Sequence, residues 1–197
     1  LQYLYGEVAG NPVRQEIKEV GREAARAELQ VTLDEKVVLV MGGSQGARHL
    51  NEVVRDLVKE LPENLKVIHL VGGKNDLGEA GANYQPISYE HNVGQLLAVA
   101  DLVISRAGAT AISEFLVRGL PMILVPFPYA ANDHQTMNAK AVVEAGAAEM
   151  IRDQDLSVHK LLLAIKQVEL DYDKMSQASR RLAKPNATER IVDYLYA

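Results

Sequence analysis

Short apolar runs alternate along the chain with segments whose apolar residues recur every three or four positions. The runs at 37–41, 67–71, 102–105, 122–126 and 148–151, most of them built from Val, Ile and Leu, predict buried strands. The segments between and around them predict helices over 12–29, 46–61, 93–100, 109–118, 133–145, 157–168, 171–183 and 186–196. Gly119-Leu120-Pro121 and Gly146 follow the last periodic residues of two of these helices, where a left-handed cap would sit. The stretch 72–88 predicts a helix of one or two turns and then a short strand at 85–89. There is no internal repeat beyond the alternation and no low-complexity segment. Strand and helix in this order imply an α/β fold, a Rossmann-like parallel sheet with helices on both faces.

In open parallel sheets ligands sit outside the carboxyl ends of the strands, where the strand order switches. Two glycine-rich turns, the 89–93 loop and the long 126–134 loop all fall at such ends, so four loops converge on one side. The first turn, in "VVLVMGGSQGARHLNEVV" (37–54), has neither a Lys-Ser or Lys-Thr pair after its last glycine nor G-x-G-x-x-G spacing. It is therefore not a nucleoside-triphosphatase loop or a dinucleotide fingerprint. Ser44 there either caps the following helix or donates to a phosphate or sugar hydroxyl, and both can hold at once.

The second turn, in "DLVISRAGATAISEF" (101–115), opens a helix on small residues. Gly108 would let a ligand approach the backbone, and Ala109, Thr110 and Ala111 would present first-turn N–H groups to a phosphate. Glu114 lies one turn further in on the face of Thr110, within reach of a ribose diol. On pattern alone, Gly108 is equally a packing glycine and Glu114 a solvated acid. In "VPFPYAANDHQTMNAK" five polar residues, Asn132, Asp133, His134, Gln135 and Asn138, crowd one helix start. An N-cap at Asn132 or Asp133 uses one of them, and amide side chains, which donate and accept, suit a hydroxyl-rich ligand such as a sugar. His134 has the alternative of a partly buried, hydrogen-bonded histidine.

Composition narrows the partners. The 197 residues are 48% hydrophobic and 24% charged with a net charge of −5, and the basic residues are scattered, which argues against a nucleic-acid surface. The chain has no cysteine, hence no disulfide framework or thiolate metal site, which fits a cytoplasmic setting. No apolar run approaches the roughly 18 residues of a membrane span, and the expectation is a soluble domain. The chain begins with Leu1, so a piece of a longer protein is expected. Asp153 and Asp155 have a metal-binding spacing but precede a helix, where acids favour the N-terminus, and His49, His69, His91 and His159 form no close pair; no metal site is expected.

The ordered set "GNPVR" (10–14), "GGSQGAR" (42–48), "SRAGATAISE" (105–114), "GLPMILVPFPYAANDHQTMNA" (119–139), "AGAA" (145–148) and "ATERI" (187–191) resembles the C-terminal half of the MurG glycosyltransferases. These are the peptidoglycan enzymes, tied to cell shape and division, that move N-acetylglucosamine from its uridine diphosphate (UDP) carrier to lipid I, giving lipid II. The resemblance covers nearly the whole chain and implies one domain over 1–197, the UDP-sugar-binding half of a GT-B glycosyltransferase, with 1–14 as the linker region.

It also implies roles. The amides of Ala109, Thr110 and Ala111 would hold the diphosphate, Glu114 the ribose hydroxyls, the backbone at Glu90 the uracil edge, and Gln135 with His134 the sugar hydroxyls. Arg14 and Ser44 would border the phosphates. Many members carry a Gln-Gln pair where this chain has His134-Gln135. The resemblance further implies a metal-independent reaction with UDP-N-acetylglucosamine as donor and no cofactor. The acceptor half, with the general base and the membrane-contacting patch that meets lipid I, would precede residue 1, leaving this half alone inactive. The whole enzyme would be peripheral on the cytoplasmic face of the bacterial inner membrane. Two alternatives are another GT-B UDP-sugar enzyme, an epimerase or glycolipid synthase, against which GGSQGAR and HQTMNA tell, and a nucleotide-sugar-binding module without catalysis.

Overall fold

The computed structural model describes residues 8–32, 34–43, 47–73 and 77–196. Six parallel strands, β1 (Lys36–Met41), β2 (Leu65–Leu70), β3 (Tyr84–Ile87), β4 (Leu102–Ser105), β5 (Met122–Leu124) and β6 (Ala148–Met150), form one sheet in the order β3-β2-β1-β4-β5-β6. The helices are α1 (Gln15–Glu19), α2 (Arg22–Glu28), α3 (Arg48–Val58), α4 (Val93–Val99), α5 (Ala109–Arg118), α6 (His134–Glu144), α7 (Val158–Leu170), α8 (Tyr172–Leu182) and α9 (Ala187–Tyr196). Single 3-10 turns occupy Ala131–Asp133 and Asp153–Asp155.

The two-residue period of the strands divides the core between the two faces of the sheet. Val37, Leu39, Ile68, Val103, Met122 and Leu124 pack with α4 and α5, whereas Val38, Val40, Val67, Ile104 and Ile123 pack with α3 and α7. Burying such a side chain contributes roughly 1.5–3 kcal/mol relative to exposing it. Strand order reverses between β1 and β4, which lie side by side with Met41 opposite Ser105. Gly119 ends α5 in the left-handed conformation at φ +69°, and Gly146 takes φ +78° after α6, as their positions in the sequence predict.

Three expectations are corrected. The single helix over 12–29 is two helices, because α1 stops at Val20 and Arg118 Nη1, brought from the end of α5, donates to the freed carbonyls of Ile17, Lys18 and Val20. The stretch 72–88 contains no helix among its described residues, and its strand begins at Tyr84 rather than 85, set by pairing with Val67. The helix expected to start at 133 starts at His134, after Asn132 (φ 52°) and Asp133 (φ 53°) both adopt left-handed backbone, and neither side chain caps it.

One buried polar network ties β2 to α3 and β3. Asn51 Nδ2 donates to the Val71 carbonyl at 2.8 Å, so its Oδ1 accepts from His69 Nε2 at 3.0 Å, and His69 Nδ1 accepts from the Tyr84 hydroxyl at 2.9 Å. The ring is thereby held neutral, and burial, aided by Arg55, lowers its pKa from 6.5 to about 4. The folded pKa lies below the unfolded one, so this contribution to stability is complete above pH 6.5 and is lost as pH falls from 6.5 toward 4. Proton NMR of the ring across that range should show no titration near pH 6.5. A normal midpoint there would contradict the network.

Candidate functional site

The switch between β1 and β4 opens into a cleft of about 610 Å3 whose lining includes Gly43, His49, Arg106, Gly108, Phe127 and Gln135. α5 starts at its floor with Gly108 as N-cap and no side chain capping it, and the N–H groups of Ala109, Thr110 and Ala111 have no partner among the described residues. Gly108 has ordinary backbone angles (φ −71°, ψ 135°), and a Cβ there would meet nothing within 4 Å. Neither conformation nor packing among the described residues requires glycine here. The helix start is left open, and there the N–H groups and the helix dipole together favour an anion.

The turn before α5 is fixed from α6. Gln135 Oε1 accepts from the N–H of Ala107 (3.1 Å) and of Phe127 (3.0 Å), while Asn138 Nδ2 donates to the Ala107 carbonyl at 3.0 Å. Ala107 is thus held through both its N–H and its carbonyl, and the crowd of amides that sequence associates with a sugar also serves as a clamp on the turn before α5. Gln135 lines the cleft, and its Nε2 donors have no hydrogen-bond partner among the described residues. Replacing Gln135 with Ala should therefore weaken binding of the free nucleoside diphosphate as well as that of the sugar conjugate. Gln135→Glu, which retains the acceptor and loses the donors, should impair mainly the conjugate. Titration of both ligands checks this; indifference of the free diphosphate to Gln135→Ala would mean that the clamp does not set the turn.

Glu114 lies one turn into α5, 8% exposed. Burial raises its pKa, with Arg14 partly opposing the shift; Arg14 Nη2 is 3.5 Å from Glu114 Oε1, and Arg14 Nη1 is 2.7 Å from Glu16. Asn11 Nδ2 donates to Ser113 Oγ at 3.1 Å, so the segment carrying Arg14 is laced along α5. The solvated acid that pattern allows at Glu114 is excluded by its burial.

The remaining sequence-derived residues are more dispersed. Ala109 and Thr110 are exposed and Ala111 half-buried at the cleft. Glu90, half-buried, uses Oε1 to accept from the Asn92 N–H at 2.7 Å, shaping the 90–92 turn. His134 is exposed, not partly buried, and its Nδ1 donates to the Ala131 carbonyl at 2.7 Å. Neither Glu90 nor His134 lines the cleft. Ser44 lies outside the described residues.

A charged group that sequence reasoning missed closes the far wall. Arg106 Nη1 lies 2.7 Å from Asp153 Oδ1 and donates to the carbonyls of Val125 and Pro126, and its guanidinium sits 5.7 Å from the Phe127 ring centre. His49 Nδ1 is 3.2 Å from Asp153 Oδ2. Burial opposes ionisation of Asp153, but its hydrogen bonds to Arg106 and His49 outweigh this and hold the carboxyl below its ordinary pKa. Asp155 pairs instead with Lys160 at 3.6 Å, and Ser157 is the residue that caps α7, accepting from Lys160 N. Asp153 thus ties β4 and α3 together across the cleft rather than serving the α7 N-terminus.

A parallel sheet of this order, with helices on both faces and a bare helix start at its switch point, defines a Rossmann-like α/β domain. The pattern of the glycosyltransferase family 28 C-terminal domain matches residues 37–193, and the chain belongs to that family. It is 38% identical over 206 residues to a UDP-N-acetylglucosamine--N-acetylmuramyl-(pentapeptide) pyrophosphoryl-undecaprenol N-acetylglucosamine transferase of Halothermothrix orenii, covering 96% of this chain and 56% of the relative. The transferase of the same name from Desulforamulus reducens is 36% identical, with 94% of this chain and 54% of the relative covered. Among solved structures, MurG of Acinetobacter baumannii superposes with a TM-score of 0.73 at 27% identity, over 93% of this chain and 56% of that one. The chain spans about half the length of the curated relatives it matches.

Proposed function

We propose that this chain is the donor-binding half of an N-acetylglucosaminyltransferase that takes UDP-N-acetylglucosamine and glycosylates lipid I to give lipid II. The observation that carries this is the bare start of α5, with three N–H groups that have no partner among the described residues, at a glycine that leaves the cleft open, one turn before the buried Glu114. The diphosphate takes the N–H groups, the ribose diol donates to Glu114, and the sugar meets Nε2 of Gln135 in the cleft. The backbone at Glu90 reads the uracil edge, and Arg14 and Ser44 border the phosphates, Arg14 by leaving its loose contact with Glu114.

Transfer inverts the anomeric carbon as the acceptor hydroxyl displaces UDP, and the charge developing on the leaving diphosphate is stabilised by fixed N–H dipoles that need no reorganisation. We assign this stabilisation to α5 rather than to a metal, since Asp153 and Asp155 are each engaged by cationic side chains. The acceptor and the base belong to the part of the relatives that this chain does not cover. The whole enzyme then works peripherally at the cytoplasmic face of the inner membrane, where it supplies the precursor on which cell shape and division depend.

Calorimetric titration with uridine, cytidine and guanosine diphosphates and with UDP-N-acetylglucosamine tests the donor. Uridine diphosphate and its conjugate should bind, and with unchanged affinity when a chelator is added. Preference for another base would remove the donor assignment, and loss of binding with chelator would remove the metal-free one.

A further inference from the structure

We propose that a second anion site, suited to a phosphate group, lies at the far end of α5 from the cleft, between Arg22, Arg118 and Arg180. These three guanidinium groups line a cavity of about 500 Å3 in which Asp101 is the one carboxylate among the described lining residues. The C-terminal ends of α1, α4 and α5 meet there, and capping explains two of the arginines. Arg118 Nη1 serves the end of α1, and Arg22 donates to the carbonyls of Ala98 (3.4 Å) and Ala100 (2.8 Å) at the end of α4. Lys18, also at the cavity, is turned to the Pro185 carbonyl and Glu189.

Capping does not explain Arg180. It makes no hydrogen bond or ion pair among the described residues, and its side chain lies against Gly119, where a Cβ would fall 2.8 Å from Cζ and Nε. Asp101 cannot neutralise it, being held by Arg22 at 2.6 Å and by the Val37 N–H at 2.8 Å. Three guanidinium groups therefore share one carboxylate among the described lining residues, in a chain where acids outnumber bases 26 to 21. Burial and the nearness of Arg22 and Arg180 push the Arg118 pKa down. An anion shared between them relieves that repulsion, and the planar guanidinium fork matches the oxygens of a phosphate.

An apolar cavity of about 260 Å3 adjoins this one and shares Asp101 and Tyr172 with it, its other walls including Val38, Leu102, Ile165 and Val168. The phosphate group can thus come from two sources, free phosphate or the head of an amphiphile whose chain enters the apolar cavity. Calorimetry with inorganic phosphate and with hexyl phosphate, at fixed ionic strength and with saturating UDP to occupy the cleft, separates them. Tighter binding of hexyl phosphate identifies the amphiphile, and equal affinity the free anion. Arg180 is exposed and structurally unengaged, so Arg180→Gln should fold and bind UDP as the parent does while losing about tenfold or more in phosphate affinity, the scale of one charge-assisted hydrogen bond. Arg180→Lys should fall between. Phosphate binding that is absent, or that Arg180→Gln leaves intact, overturns the site. The comparison of parent with variant reads out even if UDP fails to bind, so failure of the donor assignment is distinguishable.

Discussion

Replacing Glu114 with Ala should weaken binding of uridine diphosphate by about 1.5–3 kcal/mol, the range for hydrogen bonds to a charged group, which is roughly ten- to a hundredfold in Kd. The side chain is 11% exposed, so little water is available to substitute for it at the ribose. The same burial raises its pKa, and Arg14, at 3.5 Å, opposes the shift without cancelling it. Because the folded pKa exceeds the unfolded 4.5, the ionised carboxylate costs stability at neutral pH, and stability linked to Glu114 rises as pH falls through the folded pKa. Glu114→Ala should therefore leave the free protein at least as stable as the parent while impairing binding. Affinity for the nucleotide should also decline as pH falls through the raised pKa, and Glu114→Gln should abolish that decline. Calorimetry across pH with all three proteins decides it, and parent-like affinity in Glu114→Ala would place the ribose elsewhere.

What the sequence discloses here follows from how local each signal is. The strands are legible because β1 and β4 are buried on both faces and so read as unbroken runs of Val, Ile and Leu. Gly119 and Gly146 are legible because a left-handed cap is set by neighbouring residues alone. The break at Val20 is not, since the carbonyls it frees are satisfied by Arg118 from 98 residues away. The same distinction runs through the cleft. Ala109 to Ala111 and Glu114 share one helix, so their placement on it is legible from spacing, whereas Gln135 and Asn138 act on Ala107 from about 30 residues further along. Their amides suit a sugar on sequence, and only the folded turn shows that Gln135 spends its oxygen on the backbone. Asp153 shows the reverse error: its place before a helix gives it a local reason to be acidic, which hides its link to Arg106 and His49.

The largest effect should appear in transfer itself. The relatives are nearly twice as long as the stretch they share with this chain, and the acceptor hydroxyl and the base are assigned to the part it lacks. Displacement at the anomeric carbon needs hydroxyl, base and donor in near-attack geometry at once, and effective molarities of about 10⁵ M or more are forfeited when one reactant is not held. On the proposed reading, a domain that supplies diphosphate-binding amides and a ribose carboxylate would stabilise the leaving group but position nothing to replace it. The chain should accordingly bind UDP-N-acetylglucosamine to saturation and form no detectable N-acetylglucosaminyl lipid I. Fusing it to the complementary half of a relative should restore transfer, and Glu114→Ala within that fusion should depress it. Gain of activity in the fusion would also show that the donor site is already formed in this chain, because no residue of it has changed. Robust transfer by the chain alone would require an acceptor site and a base among its own residues, with the Arg106–Asp153–His49 group at the far wall of the cleft the first place to seek them.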